Sequence, residues 1–182
     1  IIFYSFDSPK KNIIINVKYK IKRYEYSSTA SSLIQERGLS KYLISNKLMI
    51  VSDQLRQMAS GITKGKNTTT KKAKAIYDYV LNNVSYDKTI PGWGEGDTKR
   101  ACLLWAGNCT DFHSLFVSLA RASNIPAKFV IGMPLPKEHE GEVVSYHCWA
   151  EFYDEKKGWV PVDVSEAWKD KNTEVYLFTA EI

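Results

Sequence analysis

Residues 143–164 constrain this chain most, because they read as two strands joined by a tight turn. Residues 143–153 alternate in character, residues 159–164 form a second extended run, and Asp154-Glu155-Lys156-Lys157-Gly158 lies between them. Gly158 supplies the positive φ that a tight reversal needs. On the first strand His147, Trp149 and Glu151 share one face, while Tyr146, Cys148, Ala150 and Phe152 share the other. Cys148 is therefore expected to point away from whatever His147 touches. A hairpin centred on residue 155 sets His147 opposite Asp163, with Cβ atoms about 4.5–5.5 Å apart, unless a bulge at Pro161 shifts the register. A carboxylate in that place fixes the imidazole tautomer and stabilises its cation, leaving the other ring nitrogen free to face a thiol.

A thiol is available. Gly107-Asn108-Cys109-Thr110-Asp111 opens a helix whose apolar positions are Phe112, Leu115, Phe116, Leu119 and Ala120, and Asn124 and Pro126 end it. Asn108 is the expected N-cap. Cys109 then falls in the first turn, where unpaired N–H groups and the helix dipole favour the thiolate. Asp111 is most simply a first-turn carboxylate that complements the same dipole. His113, four residues after Cys109, is expected to be a supporting or surface residue rather than the base. Residues 125–132 read as a buried strand.

Elsewhere Ile13, Ile15, Val17, Tyr19 and Ile21 alternate with polar residues, which describes a strand with one buried face, and residues 27–32 form a Ser-rich loop. These suggest a division into a small β element with its linker, residues 1–32, and a main domain, residues 33–182. Residues 43–58 lean to helix, with Leu48, Val51, Leu55 and Met58 on one face and Gly61 breaking it. A clearer amphipathic helix carries Ala73, Ile76, Tyr77, Val80, Leu81 and Val84, with Thr70 as its expected cap and an end near Tyr86. Residues 90–96 hold one Pro and three Gly and read as an exposed loop.

Bulk composition removes several function classes. The 182 residues are 44% hydrophobic and 25% charged, which is globular composition. The net charge of +5 comes from scattered Lys and Arg without interleaved aromatics, so no nucleic-acid partner is expected. No run of 18 apolar residues exists, so no membrane insertion is expected. The chain does not begin with Met, which points to a mature or excised form and to a periplasmic or extracellular location. Three cysteines, Cys102, Cys109 and Cys148, leave at least one thiol free.

Three segments in order, Gly107-Asn108-Cys109, Tyr146-His147-Cys148-Trp149 and Gly158-Trp159-Val160-Pro161-Val162-Asp163, resemble the Cys, His and Asp boxes of the transglutaminase-like superfamily. Arg121-Ala122-Ser123-Asn124-Ile125-Pro126-Ala127-Lys128 is similar to its helix-to-strand junction, and Ala75-Ile76-Tyr77-Asp78-Tyr79-Val80 to its helix ahead of the nucleophile. The resemblance covers about residues 60–168. It implies a papain-like α+β fold with the nucleophile helix packed on an antiparallel sheet, Cys109 as nucleophile, His147 as base and Asp163 as the group orienting it. Thr110 follows the nucleophile where animal transglutaminases carry Trp, and no carboxylate-rich calcium loop is evident, so the chain looks more like the bacterial, protease-like members.

The expected chemistry is acyl transfer from a peptide or protein substrate through a thioester, most simply hydrolysis by a peptidase or amidase, with no cofactor and no metal. Two alternatives stand beside it: a transglutaminase, which uses an amine acceptor, and a non-catalytic module holding a peptide or glycan in the groove. The Cys109 backbone N–H is one oxyanion donor. Trp93 or Tyr86, which precede the nucleophile as such a donor does in the family, is a candidate second, with simple packing as the alternative for both. A zinc site built from Cys102, Cys109, His113, His147 and Cys148 is the weaker rival, since no Cys-x-x-Cys spacing exists. A Cys102–Cys148 bridge is left open.

Overall fold

The computed structural model of the chain describes residues 17–22, 37–134, 143 and 145–171. A 3-10 turn at Leu39–Tyr42 precedes α1 (Asp53–Ile62), α2 (Thr69–Asn83), β1 (Ser85–Tyr86), α3 (Thr98–Leu104), β2 (Ala106–Gly107), α4 (Cys109–Ala122), β3 (Ala127–Gly132), β4 (His147–Asp154), β5 (Gly158–Val162) and α5 (Val164–Asp170). The class is α+β, as expected. A three-stranded antiparallel sheet in the order β3-β4-β5 lies on one side of α4, and α1, α2, α3 and α5 pack around the rest of it. Two short strands, β1 and β2, pair in parallel beside the start of α4.

The sequence of α4 explains its place at the centre. Phe112, Leu115, Phe116 and Leu119 bury their side chains completely, and the faces between them carry Ser114, Ser118 and Ala120, which let neighbours approach. Burying each large apolar side chain contributes roughly 1.5–3 kcal/mol, so this helix organises the core. Several of its buried polar groups find partners on neighbouring elements. The Arg121 guanidinium donates to the Ala127 carbonyl at 3.0 and 2.9 Å and to the Ile44 carbonyl at 2.9 Å, while Ser118 Oγ pairs with Thr98 Oγ1 at 2.8 Å.

Several expectations are corrected by interactions that periodicity does not encode. The helix expected over 43–58 starts only at Asp53, because Ser52 caps it by accepting the Leu55 N–H, and Leu48 is exposed. Upstream, Asn46 Oδ1 accepts the N–H groups of Leu48 and Met49 and Ser45 Oγ accepts that of Val51, which holds this stretch as loop. Gly61 sits inside the last turn of α1 without breaking it. The cap of α2 is Thr68, which accepts the Lys71 N–H at 3.2 Å. Thr70 instead donates to Asp154 Oδ2 at 2.7 Å, tying α2 to the β4–β5 turn, and α2 ends at Asn83. The strand expected to be buried, β3, lies at the sheet edge with Ile131 exposed.

Residues 17–22 carry no regular structure, and Val17, Tyr19 and Ile21 are exposed. A period of two makes a strand only where a neighbour covers one face, and no partner strand lies beside this segment among the described residues. The rest of the alternating segment, the loop over 27–32 and the division at residue 32 lie outside the described residues.

The β4–β5 hairpin forms, but its register differs from the expected one. Ala150 pairs with Val162 and Asp154 with Gly158, so the hairpin centres on Lys156. The Lys157 N–H donates to the Asp154 carbonyl at 3.2 Å, and Gly158 follows in the left-handed region with φ 75°. The left-handed Gly158 is as expected, and the centre lies one position later than the direct His147–Asp163 pairing required. Asp163, just beyond β5, therefore falls diagonal to His147 rather than directly opposite, still within reach of an imidazole.

Candidate active site

Cys109 is the first residue of α4, and a hydrogen-bonded cap fixes its position. Asn108 Oδ1 accepts the Thr110 N–H at 2.9 Å, and Asp111 Oδ2 returns to accept the Asn108 N–H at 3.0 Å, a reciprocal capping box. Asp111 does more than complement a dipole. Its buried carboxylate also accepts the N–H groups of Gly94 at 2.7 Å and Gly96 at 3.3 Å, which pins the 90–96 loop to the helix start. Arg100 holds the same loop by donating to the Gly92 carbonyl at 2.5 Å. Only glycine fits at 107, because a Cβ there would stand 2.1 Å from Asp111 Oδ2.

The opposite wall comes from the hairpin and α5. His147 Nε2 and Asp163 Oδ2 are 2.5 Å apart, with Asp163 fully buried. The second carboxylate oxygen of Asp163 accepts the Glu166 N–H and the Ser165 hydroxyl, each at 3.0 Å, so this residue is also the N-cap of α5. The sequence reading missed α5, although Asp163-Val164-Ser165-Glu166 has the spacing of a capping box. Trp149 stacks beside the His147 ring, with centroids 6.4 Å apart.

His113 is fully buried rather than at the surface. Its Nε2 accepts the Val164 N–H at 3.0 Å and lies 3.5 Å from Asp163 Oδ1. An accepting Nε2 places the ring proton on Nδ1, and burial pushes its pKa below the usual histidine range. A neutral His113 thus joins α4 to the turn carrying Asp163, instead of reaching for the thiol.

The Cys109 thiol interacts with both His147 and Cys148. Its pKa is lowered to about 4, chiefly by a hydrogen bond from the Cys148 thiol, with burial opposing and a hydrogen bond from His147 adding to the effect. His147 is raised to about 10: burial alone would lower it, but hydrogen bonds to Asp163 and Cys109 outweigh that cost. Cys109 therefore rests as a thiolate beside an imidazolium. Cys148 is held well above the ordinary thiol range, first by its hydrogen bond to Cys109 and then by burial, so it stays protonated and donates.

This placement corrects the expectation that Cys148 faces away from the partners of His147. Alternation sends neighbouring Cβ atoms to opposite faces, but His147 and Cys148 are the first residues of β4, and side chains from both faces reach a group standing over the strand end. Cys148 Sγ is also 3.5 Å from Thr110 Oγ1. All three cysteines are free, with Cys102 half-buried on α3 and its thiol raised to about 11 by burial.

Among the described residues, the metal-ligand atoms that converge within 4.8 Å belong to His147, Asp163 and Glu166. The first two already bond each other. Glu166 Oε1 lies 3.9 Å from His147 Nδ1 and is ion-paired with Lys169. The five-residue zinc set does not assemble, because His113 Nε2 is occupied by a backbone N–H and Cys102 sits on a different helix.

Cys109 opens onto a cleft of about 400 Å³ whose walls include Tyr86, Trp93, Tyr146 and Lys169. Trp93 and Tyr86 thus share the cleft with Cys109. Lys88 Nζ lies 5.6 Å from the Trp93 ring centroid and 5.7 Å from that of Tyr86.

A sequence profile described as the Transglutaminase-like superfamily matches residues 56–164, more than half of the chain and a span that contains Cys109, His147 and Asp163. The chain belongs to the transglutaminase-like superfamily. An uncharacterised protein of Haemophilus influenzae is 35% identical over 148 residues, covering 63% of this chain and 40% of that protein. YebA of Bacillus subtilis, also uncharacterised, is 29% identical over 143 residues, covering 68% of this chain and 19% of that protein. The chain therefore spans less than half the length of either relative.

Among solved structures of this fold, one from Cytophaga hutchinsonii, put forward as a cysteine protease, aligns with a TM-score of 0.60 at 24% identity, over 76% of this chain and 45% of that one. The periplasmic domain of TgpA from Pseudomonas aeruginosa, bound to ethylmercury, aligns with a TM-score of 0.57 at 18% identity, over 76% and 52%. At these identities the likeness establishes the transglutaminase-like fold. Among the described residues no helix is long and apolar enough to cross a membrane.

Proposed function

We propose that this chain is a cysteine-dependent acyl-transfer enzyme that cleaves peptide or amide bonds through a thioester on Cys109, with water as the final acceptor. The observation that carries the reading is the 2.5 Å contact between His147 Nε2 and buried Asp163, which leaves the other ring nitrogen for a thiolate at the mouth of α4. In this mechanism the sulfur attacks the carbonyl carbon, an S–C bond forms, and the π pair moves onto oxygen. The oxyanion meets the Cys109 N–H, which has no helical acceptor in the first turn, with Trp93 and Tyr86 as further candidate donors on the cleft wall. Collapse breaks the C–N bond, and His147 gives its Nδ1 proton to the departing amine.

Acylation removes the negative charge that helped to raise His147. Its pKa then falls, and the neutral ring takes a proton from water as that water attacks the thioester, after which the C–S bond breaks, the pair returns to sulfur as thiolate and the acid departs. An amine acceptor would enter the same step and make the enzyme a transglutaminase.

Burst kinetics on a Gln-containing peptide, with and without an added primary amine, test this reading. We expect a burst in both conditions and none from Cys109→Ala. Product formed only in the presence of amine would replace hydrolysis by transamidation. A Cys109 alkylated by iodoacetamide no faster than a free thiol, and indifferent to His147→Ala, would leave only a peptide- or glycan-binding module.

A further inference from the structure

Acyl transfer needs a second oxyanion donor held in place before the charge develops. Tyr86 and Trp93 lie in the cleft, but among the described residues their polar atoms have no hydrogen-bonded anchor near the nucleophile. Tyr86 is engaged through its ring, tilted against Phe112 and Trp168 with Lys169 Nζ 4.7 Å from its centroid. Tyr146 differs. Its phenolic oxygen is 3.3 Å from Asn108 Nδ2 and 3.4 Å from Thr110 Oγ1, the residues on either side of Cys109. Its backbone immediately precedes His147, so the ring is carried by the segment that carries the base, and the residue is half exposed to the cleft.

Hydrogen-bond polarity at this oxygen is decisive. Asn108 Nδ2 has only protons to offer, while Asn108 Oδ1 already accepts the Thr110 N–H, so the amide orientation is fixed and the Tyr146 oxygen must accept from it. The phenolic proton is then directed away from Asn108, toward Thr110 Oγ1 or the cleft. At 3.4 Å the Thr110 contact is long for an O–H···O bond, and a developing oxyanion beside the Cys109 N–H competes for that proton with advantage.

Building on the acyl-transfer reading, we propose that Tyr146 is the second oxyanion donor and so a further catalytic residue, its hydroxyl pairing with the Cys109 N–H around the tetrahedral oxygen. The hydroxyl donates a hydrogen bond without losing its proton. As the S–C bond forms it strengthens to the oxyanion, and as the C–N bond breaks it relaxes with return of the carbonyl.

Two reagents at the same sulfur separate this role from a structural one. Iodoacetamide reacts by displacement at carbon and builds no oxyanion, whereas p-nitrophenyl acetate acylates through a tetrahedral oxyanion. In Tyr146→Phe we expect Cys109 acylation, followed as the p-nitrophenol burst, to fall at least tenfold while alkylation stays within about twofold of the parent, in line with losses of about 10²–10³ for a deleted oxyanion donor. Acylation unchanged in Tyr146→Phe, or acylation and alkylation falling together, would overturn the proposal. So would a selective acylation loss found in Trp93→Phe or Tyr86→Phe but not in Tyr146→Phe. A parent protein with neither a burst nor accelerated alkylation would sink the acyl-transfer reading itself, an outcome distinct from a parent burst that Tyr146→Phe leaves intact.

Discussion

The two walls of the site are built by different physics. On the helix wall, Asn108, Cys109 and Asp111 are held by bonds between residues two or three positions apart, and Gly107 is required by direct crowding against Asp111. On the hairpin wall, His147 meets Asp163 across sixteen positions, and their approach depends on a turn, a left-handed glycine and a helix cap acting together. Local chemistry places the thiol. Tertiary register places the imidazole. The first arrangement is intolerant of added atoms at Gly107; the second spreads its dependence over several elements, and at its turn Gly158 has open space around it.

Substitutions can sharpen that contrast. The largest effect is expected from Gly107→Ala, which drives a methyl group into the Asp111 carboxylate. Thiol-directed activity should fall by about 10²-fold or more with a melting temperature lower by several degrees, since a substitution that breaks a buried hydrogen-bonded network costs on the order of 3 kcal/mol. A Gly107→Ala protein as stable and active as the parent would show that the helix wall is not the rigid one.

Next comes Asp163→Asn, which keeps the volume and an acceptor for the α5 cap but removes the charge facing His147. By analogy with other carboxylate–imidazole pairs, turnover should drop by about 10²–10⁴-fold with little change in thermal unfolding. Asp163→Ala should lose both, and the difference between the two variants isolates the capping contribution at about 0.5–2 kcal/mol.

The pH dependence of Cys109 alkylation comes third. With Cys109 lowered to about 4 and His147 raised to about 10, the rate should climb as pH rises through about 4 and then hold through neutrality. An ordinary thiol would climb only near pH 8.5. In Cys148→Ala the thiolate loses its first-named hydrogen bond, and the midpoint should move upward. A Cys148→Ala profile superimposable on the parent's would remove Cys148 from the account.

The smallest effect is expected at the turn. Gly158→Ala places a side chain at φ 75°, where it costs about 1–2 kcal/mol and leaves the catalytic geometry to recover. Chemical denaturation should report that loss, with burst amplitude preserved.

What could be read in advance divides along the same line. The cap by Asn108, the first-turn position of Cys109 and the apolar repeat of α4 are relations between near neighbours, and a single chain displays them directly. The pairing of His147 with Asp163 was legible as a partnership but not as a register, because the expected centre set the two residues directly opposite each other, whereas the strands pair about Lys156 and leave them diagonal. Thr70 was taken for a cap because nothing nearby reveals its bond to Asp154, 84 positions away. Cys148 escaped because alternation states where a Cβ points, not how far a side chain at a strand's first turn can lean. The short helix α5 was missed for lack of periodicity, although its Asp-x-x-Glu start was in plain view.

A helix clad on every side has no free face about which to rotate, and α4 is buried continuously from Asp111 to Arg121. The sulfur's line of approach is consequently invariant, like a lathe tool clamped in its post. Divergence among descendants of this scaffold should therefore accumulate in the surrounding rim, at residues such as Lys88, Pro134 and Ser145, and an inhibitor chemist can treat the warhead trajectory as a constant while varying only the groups that touch that rim.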